Sequence, residues 1–239
     1  IICVFSSGGP GSGKGSICSR ILTDPGFEGV AHVSIGDVLR VEINQKGVDG
    51  PLIEQTMKDG QLLPWTKILH YLQKGIDNVV KETGKTCILL DGFPRMVPQA
   101  KLFEELKEYK CRDAILLHCS QEEMLRRTAN RQDTYQRVDD NRATVLKRIE
   151  GYFAETVPVA EYFRTQKRLI EVSSEGTAEE TYAQLQPLLQ VRSNLQLVIF
   201  WMGSRCHFTM LIFCMDFRKN SYKPSSHEFA ELFISGGRL

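Results

Sequence analysis

Residues 5–16 read Phe5-Ser6-Ser7-Gly8-Gly9-Pro10-Gly11-Ser12-Gly13-Lys14-Gly15-Ser16, a segment unusually rich in glycine. It follows an apolar run, Ile1–Phe5, that predicts a buried strand, and precedes a segment, Lys14–Leu22, that predicts a helix. Glycines let a backbone curl so that successive N–H groups point at an anion, and a helix N-terminus adds unpaired N–H donors. A strand, a glycine loop and a helix in this order are therefore typical of a phosphate-binding loop.

Two polar side chains at the end of this loop suit the same chemistry. Lys14 would reach the β- and γ-phosphates of a nucleoside triphosphate, and the Ser16 hydroxyl would lie near a Mg²⁺ ion. The pattern Gly-x4-Gly-Lys is short enough to occur by chance, and here the hydroxyl residue comes one position late, after Gly15. The flanking strand and helix, together with Pro10, favour the phosphate site over an ordinary glycine turn.

Length and composition fit an intracellular α/β enzyme. The chain has 239 residues, 42% hydrophobic and 25% charged, which suits one domain with small insertions, or one domain with an appendage. Its 30 basic and 29 acidic residues give a net charge of +1, so no overall field recruits nucleic acid or an acidic membrane.

Seven scattered cysteines without a Cys-x-x-Cys pair fit neither a disulfide framework nor a zinc site, and they indicate a reducing compartment, so we expect a cytoplasmic protein. We recognise no secretory signal and expect the N-terminus to be a few residues short.

Apolar, strand-like runs alternate with helical patterns along the chain. We predict strands at Ile1–Phe5, His32–Ser34, Thr86–Leu90, Ala114–Cys119 and Leu169–Val172. We predict helices at Lys14–Leu22, Asp37–Gln45, Leu52–Lys58, Trp65–Val80, Pro98–Glu108, Gln121–Asn130, Arg142–Gln166 and Ala178–Leu189. Buried strands separated by helices imply a parallel sheet with helices on both faces, whose ligand lies at the carboxyl edge of the strands.

A carboxylate and a guanidinium follow the third predicted strand. Asp91 ends the buried run that begins at Cys87, which is how phosphate-loop enzymes hold Mg²⁺, often through water. Arg95 comes four residues later, and its planar fork suits a phosphate because it donates two parallel hydrogen bonds. A lone aspartate at a strand end is more often a helix cap or a turn residue. Paired with the glycine loop, the metal role is favoured.

Four segments, in this order, resemble the nucleoside monophosphate kinases, and specifically the short-lid adenylate kinases of the eukaryotic cytosol: Gly8–Ser16, His32–Arg40, Asp91–Arg95 and Arg137–Asn141. The resemblance covers residues 1 to about 189. It implies a P-loop NTPase fold, a three-layer α/β sandwich, with a helical acceptor-binding arm at residues 34–67 and a short lid at residues 131–140. It also implies a reversible, Mg²⁺-dependent transfer of the γ-phosphoryl of ATP to a nucleoside monophosphate.

The resemblance assigns roles to individual residues. The donor ATP would be bound by Gly9, Pro10, Gly11, Ser12, Gly13, Lys14, Gly15, Ser16, Arg127 and Arg131. The acceptor AMP would be bound by Ile35, Arg40, Gly92, Arg95, Gln99, Arg137 and Arg148. The catalytic set would be Lys14, Arg95, Arg127, Arg131, Arg137 and Arg148, and Ser16 and Asp91 would hold the metal, directly or through water.

Such a set is sufficient, because phosphoryl transfer asks the protein mainly for positioning and charge neutralisation and needs no general base or covalent nucleophile. The alternative for any one of these arginines is a solvated helix face. Lid closure would keep water from accepting the phosphoryl group. The lid contains no cysteine, so the zinc site of some long-lid relatives is not expected.

The acceptor base is predicted from two positions that disagree. Gln99 stands where adenylate kinases typically carry Gln and uridylate–cytidylate kinases typically carry Asn. Ile35 replaces the Thr usual in adenylate kinases, where the pyrimidine enzymes usually carry Ala. We predict AMP, with UMP or CMP as the alternative.

A nucleotide-binding module without turnover, or a membrane-tethered adaptor, is disfavoured because ATP binding alone does not need the acceptor arginines. We expect a monomer whose partners are its substrates, ATP and AMP. We expect neither nucleic-acid binding nor a membrane span.

The C-terminal extension, residues 190–239, matches nothing in the family. Residues 195–217 are mostly apolar, but Arg205 and His207 interrupt them, so no uncharged stretch reaches the roughly 18 residues of a spanning helix. Three interpretations stay open: an interfacial or partner-binding segment, an extra helix packed on the core, or a stretch that never folds. The ending Gly237-Arg238-Leu239 is a weak match to a peroxisomal signal of the Ser-Lys-Leu type.

Overall fold

The structure is a computed structural model that describes residues 1–134, 141–194, 197–199 and 212–214. For residues 131–134, 193–194 and the last two segments it describes the backbone only. Most of the predicted lid and of the C-terminal extension, including Arg137, therefore lies outside the described residues.

Five parallel strands form the central sheet: β1 (Ile2–Ser7), β2 (Val30–Ser34), β3 (Cys87–Asp91), β4 (Lys110–His118) and β5 (Leu169–Ser173). Their order is β2-β3-β1-β4-β5, so β1 lies in the middle, with Ile2 opposite both Cys87 and Lys110. This sheet, covered by helices, confirms the predicted α/β class of a P-loop NTPase. Strand β4 begins four residues before the predicted Ala114, at Lys110.

Nine α-helices are described, in chain order: α1 (Lys14–Thr23), α2 (Ile35–Asn44), α3 (Gly50–Lys58), α4 (Trp65–Thr83), α5 (Val97–Glu104), α6 (Gln121–Thr134), α7 (Arg142–Gly151), α8 (Val157–Thr165) and α9 (Ala178–Asn194). The helix predicted at Arg142–Gln166 is instead α7 and α8 joined by a π-helical turn, Tyr152–Thr156. Pro158, near the start of α8, has no N–H for the helical ladder, which accounts for the irregular turn before it.

Side chains of the central strands alternate between two apolar layers. Phe5 of β1 packs in the layer that contains most of α4, α5 and α8, whereas its neighbour Val4 packs against α1 and α9. The Phe5 ring meets the rings of Phe93, Phe103 and Phe163 edge-on, at centroid distances of 5.6, 5.3 and 5.6 Å. Such aromatic contacts add to the burial of β1 on both faces. The loop that follows β1 therefore starts from a firmly packed strand.

Helices α2, α3 and the start of α4 form the segment predicted as the acceptor-binding arm. Asp49, next to α3, accepts hydrogen bonds from Lys67 Nζ at 2.6 Å and from the Tyr71 hydroxyl at 3.0 Å, which ties α3 to α4. At the other end of α3, the Thr144 hydroxyl of α7 donates to the Lys58 carbonyl at 2.6 Å. The arm thus rests on α4 at one end and touches α7 at the other.

The C-terminal extension contributes two short strands to the described residues. Strands β6 (Leu197–Ile199) and β7 (Ile212–Cys214) pair antiparallel, Val198 opposite Phe213. Helix α9 ends at Asn194, five residues beyond the predicted boundary. Within the described part of the chain, no helix combines the length and apolar character needed to cross a membrane.

Candidate active site

A cavity of about 1310 Å³ opens at the carboxyl edge of the sheet, where β1 and β3 end. Its walls come from the glycine loop, the arm, the segment after β3, and helices α6 and α7. Predicted site residues that line it are Pro10, Gly11, Gly13, Lys14, Gly15, Ser16, Arg40, Asp91, Gly92, Arg95, Gln99, Arg127 and Arg148. The chain thus brings together residues from positions 10 to 148 around one cavity.

The glycine loop takes a shape that side chains would obstruct. Gly11 has a φ of +77°, and a Cβ there would lie 2.8 Å from the Met124 carbonyl oxygen. Gly13 has a φ of +83° and stands immediately before α1. Because glycine has no side chain to cap a helix, the N–H groups of the first turn of α1 are left for an anion.

Lys14 is at the centre of the charged groups. Its Nζ donates to the carbonyls of Gly8 at 2.7 Å and Gly9 at 2.8 Å. Burial lowers the pKa of Lys14 to about 8, Asp91 raises it in part, and Arg95 and Arg148 lower it further. Asp91, Arg95 and Arg148 therefore lie close enough to Lys14 for their charges to act on it.

Arg127 is held above the glycine loop by groups on two elements. Its Nε donates to Glu123 Oε1 at 2.6 Å, and its Nη2 donates to the carbonyls of Glu175 at 3.1 Å and Gly176 at 2.8 Å. Hydrogen bonds from Arg126 and then Arg127 lower the pKa of Glu123 to about 2, so the carboxylate stays charged. These contacts restrict Arg127 to a position beside the predicted donor phosphates, whereas the Arg126 side chain is 63% exposed.

The predicted acceptor residues Arg40, Arg95 and Gln99 line the part of the cavity formed by the arm and by the segment after β3. Arg40 pairs with Asp37 on the first turns of α2. Arg95 Nε donates to the Gly92 carbonyl at 3.0 Å, and the Arg95 backbone N–H donates to Gln99 Oε1 at 2.9 Å. Gln99 is only 5% exposed. Because its oxygen is engaged, the orientation of its amide is fixed, and the NH₂ group is the donor left for a ligand.

Asp91 suits the predicted metal role. Its Oδ1 is buried without a hydrogen-bond partner among the described residues. An orphaned carboxylate oxygen is costly unless a water or a cation completes it, and Mg²⁺ prefers oxygen ligands. Ser16 is exposed on the same cavity and offers a hydroxyl oxygen. The two residues present therefore fit a Mg²⁺ ion.

Several predicted site residues are not in the cavity wall. Gly9 and Ser12 are buried within the glycine loop. Ile35 is buried, and its Cγ2 would be 3.4 Å from a Cβ placed on Gly92, so it lies under the cavity floor. That Ile35 faces the acceptor base stays a prediction. Arg131 falls in the last turn of α6, where only the backbone is described, and Arg137 lies outside the described residues.

Trp65 is a cavity residue that sequence reasoning missed. It begins α4, lines the cavity and stacks on Phe93, with ring centroids 6.0 Å apart and planes 22° apart. Tryptophan occurs only twice in the chain, and one stands directly after Pro64 within the predicted arm. That position was the available signal, because a large aromatic ring at the base of a ligand arm is suited to pack against a planar base.

Comparison with known proteins gives a consistent family. A family model described as adenylate kinase matches residues 6–168. A uridylate kinase of Schizosaccharomyces pombe is 37% identical over 199 residues, which cover 78% of this chain and 98% of the relative. Adenylate kinase isoenzyme 1 of Bos taurus is 34% identical over 184 residues, 76% of this chain and 91% of the relative. A UMP-CMP kinase 2 of Oryza sativa subsp. japonica is 33% identical over 184 residues, 77% of this chain and 72% of the relative.

Proposed function

The chain belongs to the adenylate kinase family of nucleoside monophosphate kinases, which transfer phosphoryl groups between nucleotides, and on this premise we propose that its reaction is the reversible, Mg²⁺-dependent conversion of ATP and AMP to two ADP. The choice of AMP is the step that goes beyond the family, because relatives named for adenylate and for uridylate are about equally similar. The observation that carries it is Gln99, buried in the cavity wall with its amide oriented by Arg95.

On the donor side, we assign the triphosphate to the glycine loop. Lys14 would exchange its bonds to the Gly8 and Gly9 carbonyls for the β- and γ-phosphates. Ser16 and Asp91 would hold Mg²⁺, directly or through water, and the ion would neutralise phosphate charge. Arg127 and Arg148 would stabilise the charge that develops on the transferred group, since preorganised cations act strongly in a site closed to water.

On the acceptor side, we assign the monophosphate to Arg40 and Arg95. These two cations stand at the arm and after β3, so they would hold the acceptor phosphate from two directions. The Gln99 NH₂ group would donate to N1 of adenine, which accepts hydrogen bonds. Trp65 would pack on the base or on the wall beside it. Arg131 and Arg137 complete the proposed set from the lid.

A second candidate, a UMP/CMP kinase of the same fold, is favoured by one observation. Ile35 is a buried apolar residue where a hydroxyl is usual in adenylate kinases, so its side chain offers no hydrogen bond to a purine. The Gln99 NH₂ group could also donate to O4 of uracil or N3 of cytosine, but its length suits the deeper reach of a purine edge better. The two candidate functions therefore share the same donor site for ATP and differ only in the acceptor nucleotide.

A coupled assay for ADP decides between them. The full chain is given ATP and Mg²⁺ with AMP, dAMP, CMP or UMP, and with ATP alone. We expect kcat/KM to be highest with AMP and turnover to be negligible with ATP alone. A higher kcat/KM with UMP or CMP supports the second candidate. Absence of turnover with every acceptor, in a protein that binds ATP, supports a non-catalytic nucleotide-binding module. A monomeric state and a cytoplasmic location stay predictions of the sequence.

A further inference from the structure

Three side chains with metal-ligating atoms meet behind the glycine loop. The Sγ of Cys18, a ring nitrogen of His32 and a carboxylate oxygen of Asp91 all lie within 4.8 Å of one another. They come from α1, β2 and β3, whose packing on one layer of the core fixes their separation. His32 and Asp91 line the cavity, and Cys18 is buried at 1% exposure.

Two of these groups lack a hydrogen-bond partner. His32 Nε2 and Asp91 Oδ1 are both buried and unpaired within the part of the chain that the structure describes. His32 Nε2 lies 3.9 Å from Asp91 Oδ2, which is too long for a hydrogen bond. Since a buried polar atom without a partner is destabilising, a small guest between these residues would be stabilising.

The ligand set has a distinct chemistry. Thiolate and imidazole are preferred by Zn²⁺ and related thiophilic ions, whereas Mg²⁺ prefers oxygen alone. We propose that Cys18, His32 and Asp91 form a binding site for a thiophilic divalent cation such as Zn²⁺ or Cd²⁺, and that occupation of this site inhibits phosphoryl transfer. Three protein ligands leave the fourth tetrahedral position open, as in zinc sites that also bind water.

The charges balance at such a site. On binding, the S–H bond of Cys18 breaks, its proton passes to solvent, and a sulfur–metal bond forms. Thiolate and carboxylate then contribute two negative charges against two positive charges of the ion, so the loaded cluster is neutral. This limits repulsion with the Lys14 ammonium, which is already engaged by the carbonyls of Gly8 and Gly9.

Inhibition would follow because Asp91 would be a ligand both of Mg²⁺ and of the thiophilic cation. The inhibitory half of the proposal rests on the proposed function, in which Asp91 holds Mg²⁺ at the donor phosphates. Binding itself does not rest on it. The two halves are therefore measured separately, one by metal binding and one by turnover.

Binding is tested on the full chain after dialysis against a chelator. Zn²⁺ is measured by equilibrium dialysis, and Cd²⁺ by the ultraviolet charge-transfer band of a thiolate–cadmium bond. The test variants are Cys18→Ala and His32→Gln, and Cys87→Ala, which removes another buried thiol, at the start of β3, is the matched control. We expect one Zn²⁺ per wild-type chain. Each test variant should lose at least about tenfold in affinity, while Cys87→Ala binds as the wild type does.

Turnover is then measured with excess Mg²⁺ and buffered free Zn²⁺. Cys18→Ala should keep the basal kcat/KM and require at least about tenfold more Zn²⁺ for half-inhibition. Zn²⁺ binding that does not saturate at one ion per chain, or binding that is unchanged in both test variants, overturns the proposed site. Water would then be the ligand that lies between His32 and Asp91. Stoichiometric binding that does not slow an active enzyme overturns the inhibitory half. A chain that binds Zn²⁺ through Cys18 yet phosphorylates no monophosphate supports the metal site and contradicts the proposed function instead.

Discussion

The proposed donor and acceptor sides of the cavity differ in the groups that line them: mainly backbone on the donor side and mainly side chains on the acceptor side. Around the glycine loop the proposed donor nucleotide would meet backbone N–H groups, with Lys14 and Arg127 held by backbone carbonyls. The proposed acceptor would instead meet side chains that line the same cavity, chiefly Arg40, Gln99 and Trp65. A backbone cradle fits any nucleoside triphosphate, whereas a pocket of side chains can change its preference by single substitutions. Under the proposed function, this difference would account for relatives that are all named as kinases but for different acceptors.

The largest effect is expected on the donor side. Lys14→Ala should lower kcat/KM by at least about a hundredfold, equivalent to about 2.7 kcal/mol of transition-state stabilisation, because a preorganised cation at the transferring phosphate is lost. The loss should be the same for every acceptor, since Lys14 belongs to the shared donor side. Steady-state kinetics with AMP and UMP measure both quantities, and Lys81→Ala, an exposed lysine on α4, is the control. A folded Lys14→Ala variant with wild-type turnover would contradict the donor site.

The protonation of Lys14 gives the donor side a pH dependence. Burial lowers its pKa to about 8 in the free enzyme, so the ammonium is lost as the pH rises past that value, and kcat/KM for ATP should fall about tenfold by pH 9. Bound phosphates favour the ammonium, so kcat should persist to higher pH. The free energy of unfolding responds to pH in the opposite direction from kcat/KM. The unfolded chain holds this proton up to its ordinary pKa, so the Lys14 contribution to the free energy of unfolding rises with pH between the two values.

Lys14→Arg is the control for this pH profile, because a guanidinium does not titrate in this range. Its kcat/KM is expected to be lower throughout but level across the same pH range. A variant that shows the same alkaline fall as the wild type would mean that another group is responsible for it.

Sequence reasoning was accurate where the pattern is local. The order of strands and helices, the glycine loop and the position of Asp91 follow from short-range periodicity and from glycine chemistry. It failed where a contact distant in sequence decides the structure. Strand β4 begins at Lys110 although its first half is polar, because Asp113, buried at 3% exposure, pairs with Arg112 and with Arg192 of α9. Likewise, the burial of Ile35 under Gly92 could not be inferred from either segment alone.

Acceptor preference should respond to smaller changes than the donor side. Gln99→Asn should lower the ratio of kcat/KM for AMP to that for UMP by about fivefold, because the shorter amide cannot both accept from the Arg95 N–H and reach the base. Gln186→Asn on α9, where the amide donates to Asp24, is the matched control and should leave the ratio unchanged. Ile35→Thr should raise the ratio modestly by restoring a hydroxyl. Unchanged ratios in both Gln99→Asn and Ile35→Thr would show that neither side chain selects the base.

The smallest effect on turnover is expected from the C-terminal extension, because no residue of the described part beyond position 156 lines the cavity. The sequence boundary at residue 189 predicts that a chain shortened to Gln190 keeps its activity, and we still expect kcat within about twofold, a change below 0.5 kcal/mol. Its stability is another matter. Arg192 Nη1 donates to Asp113 Oδ1 at 3.0 Å and to the Lys167 carbonyl at 3.0 Å, and both bonds are absent from that shortened chain.

Cutting after Gln190 should therefore lower the free energy of unfolding by about 1.5 kcal/mol, since Asp113 then keeps Arg112 alone as a partner among the described residues. For a domain of this size that corresponds to a fall in Tm of about 3–6 °C. A chain ending at Asn194 retains Arg192 and should melt with the full chain, while Arg192→Ala in the full chain should reproduce the loss. Calorimetry of the four proteins separates the causes. If the chain ending at Asn194 melts as early as the one ending at Gln190, the stabilising contacts lie beyond residue 194, and the extension packs on the core after all.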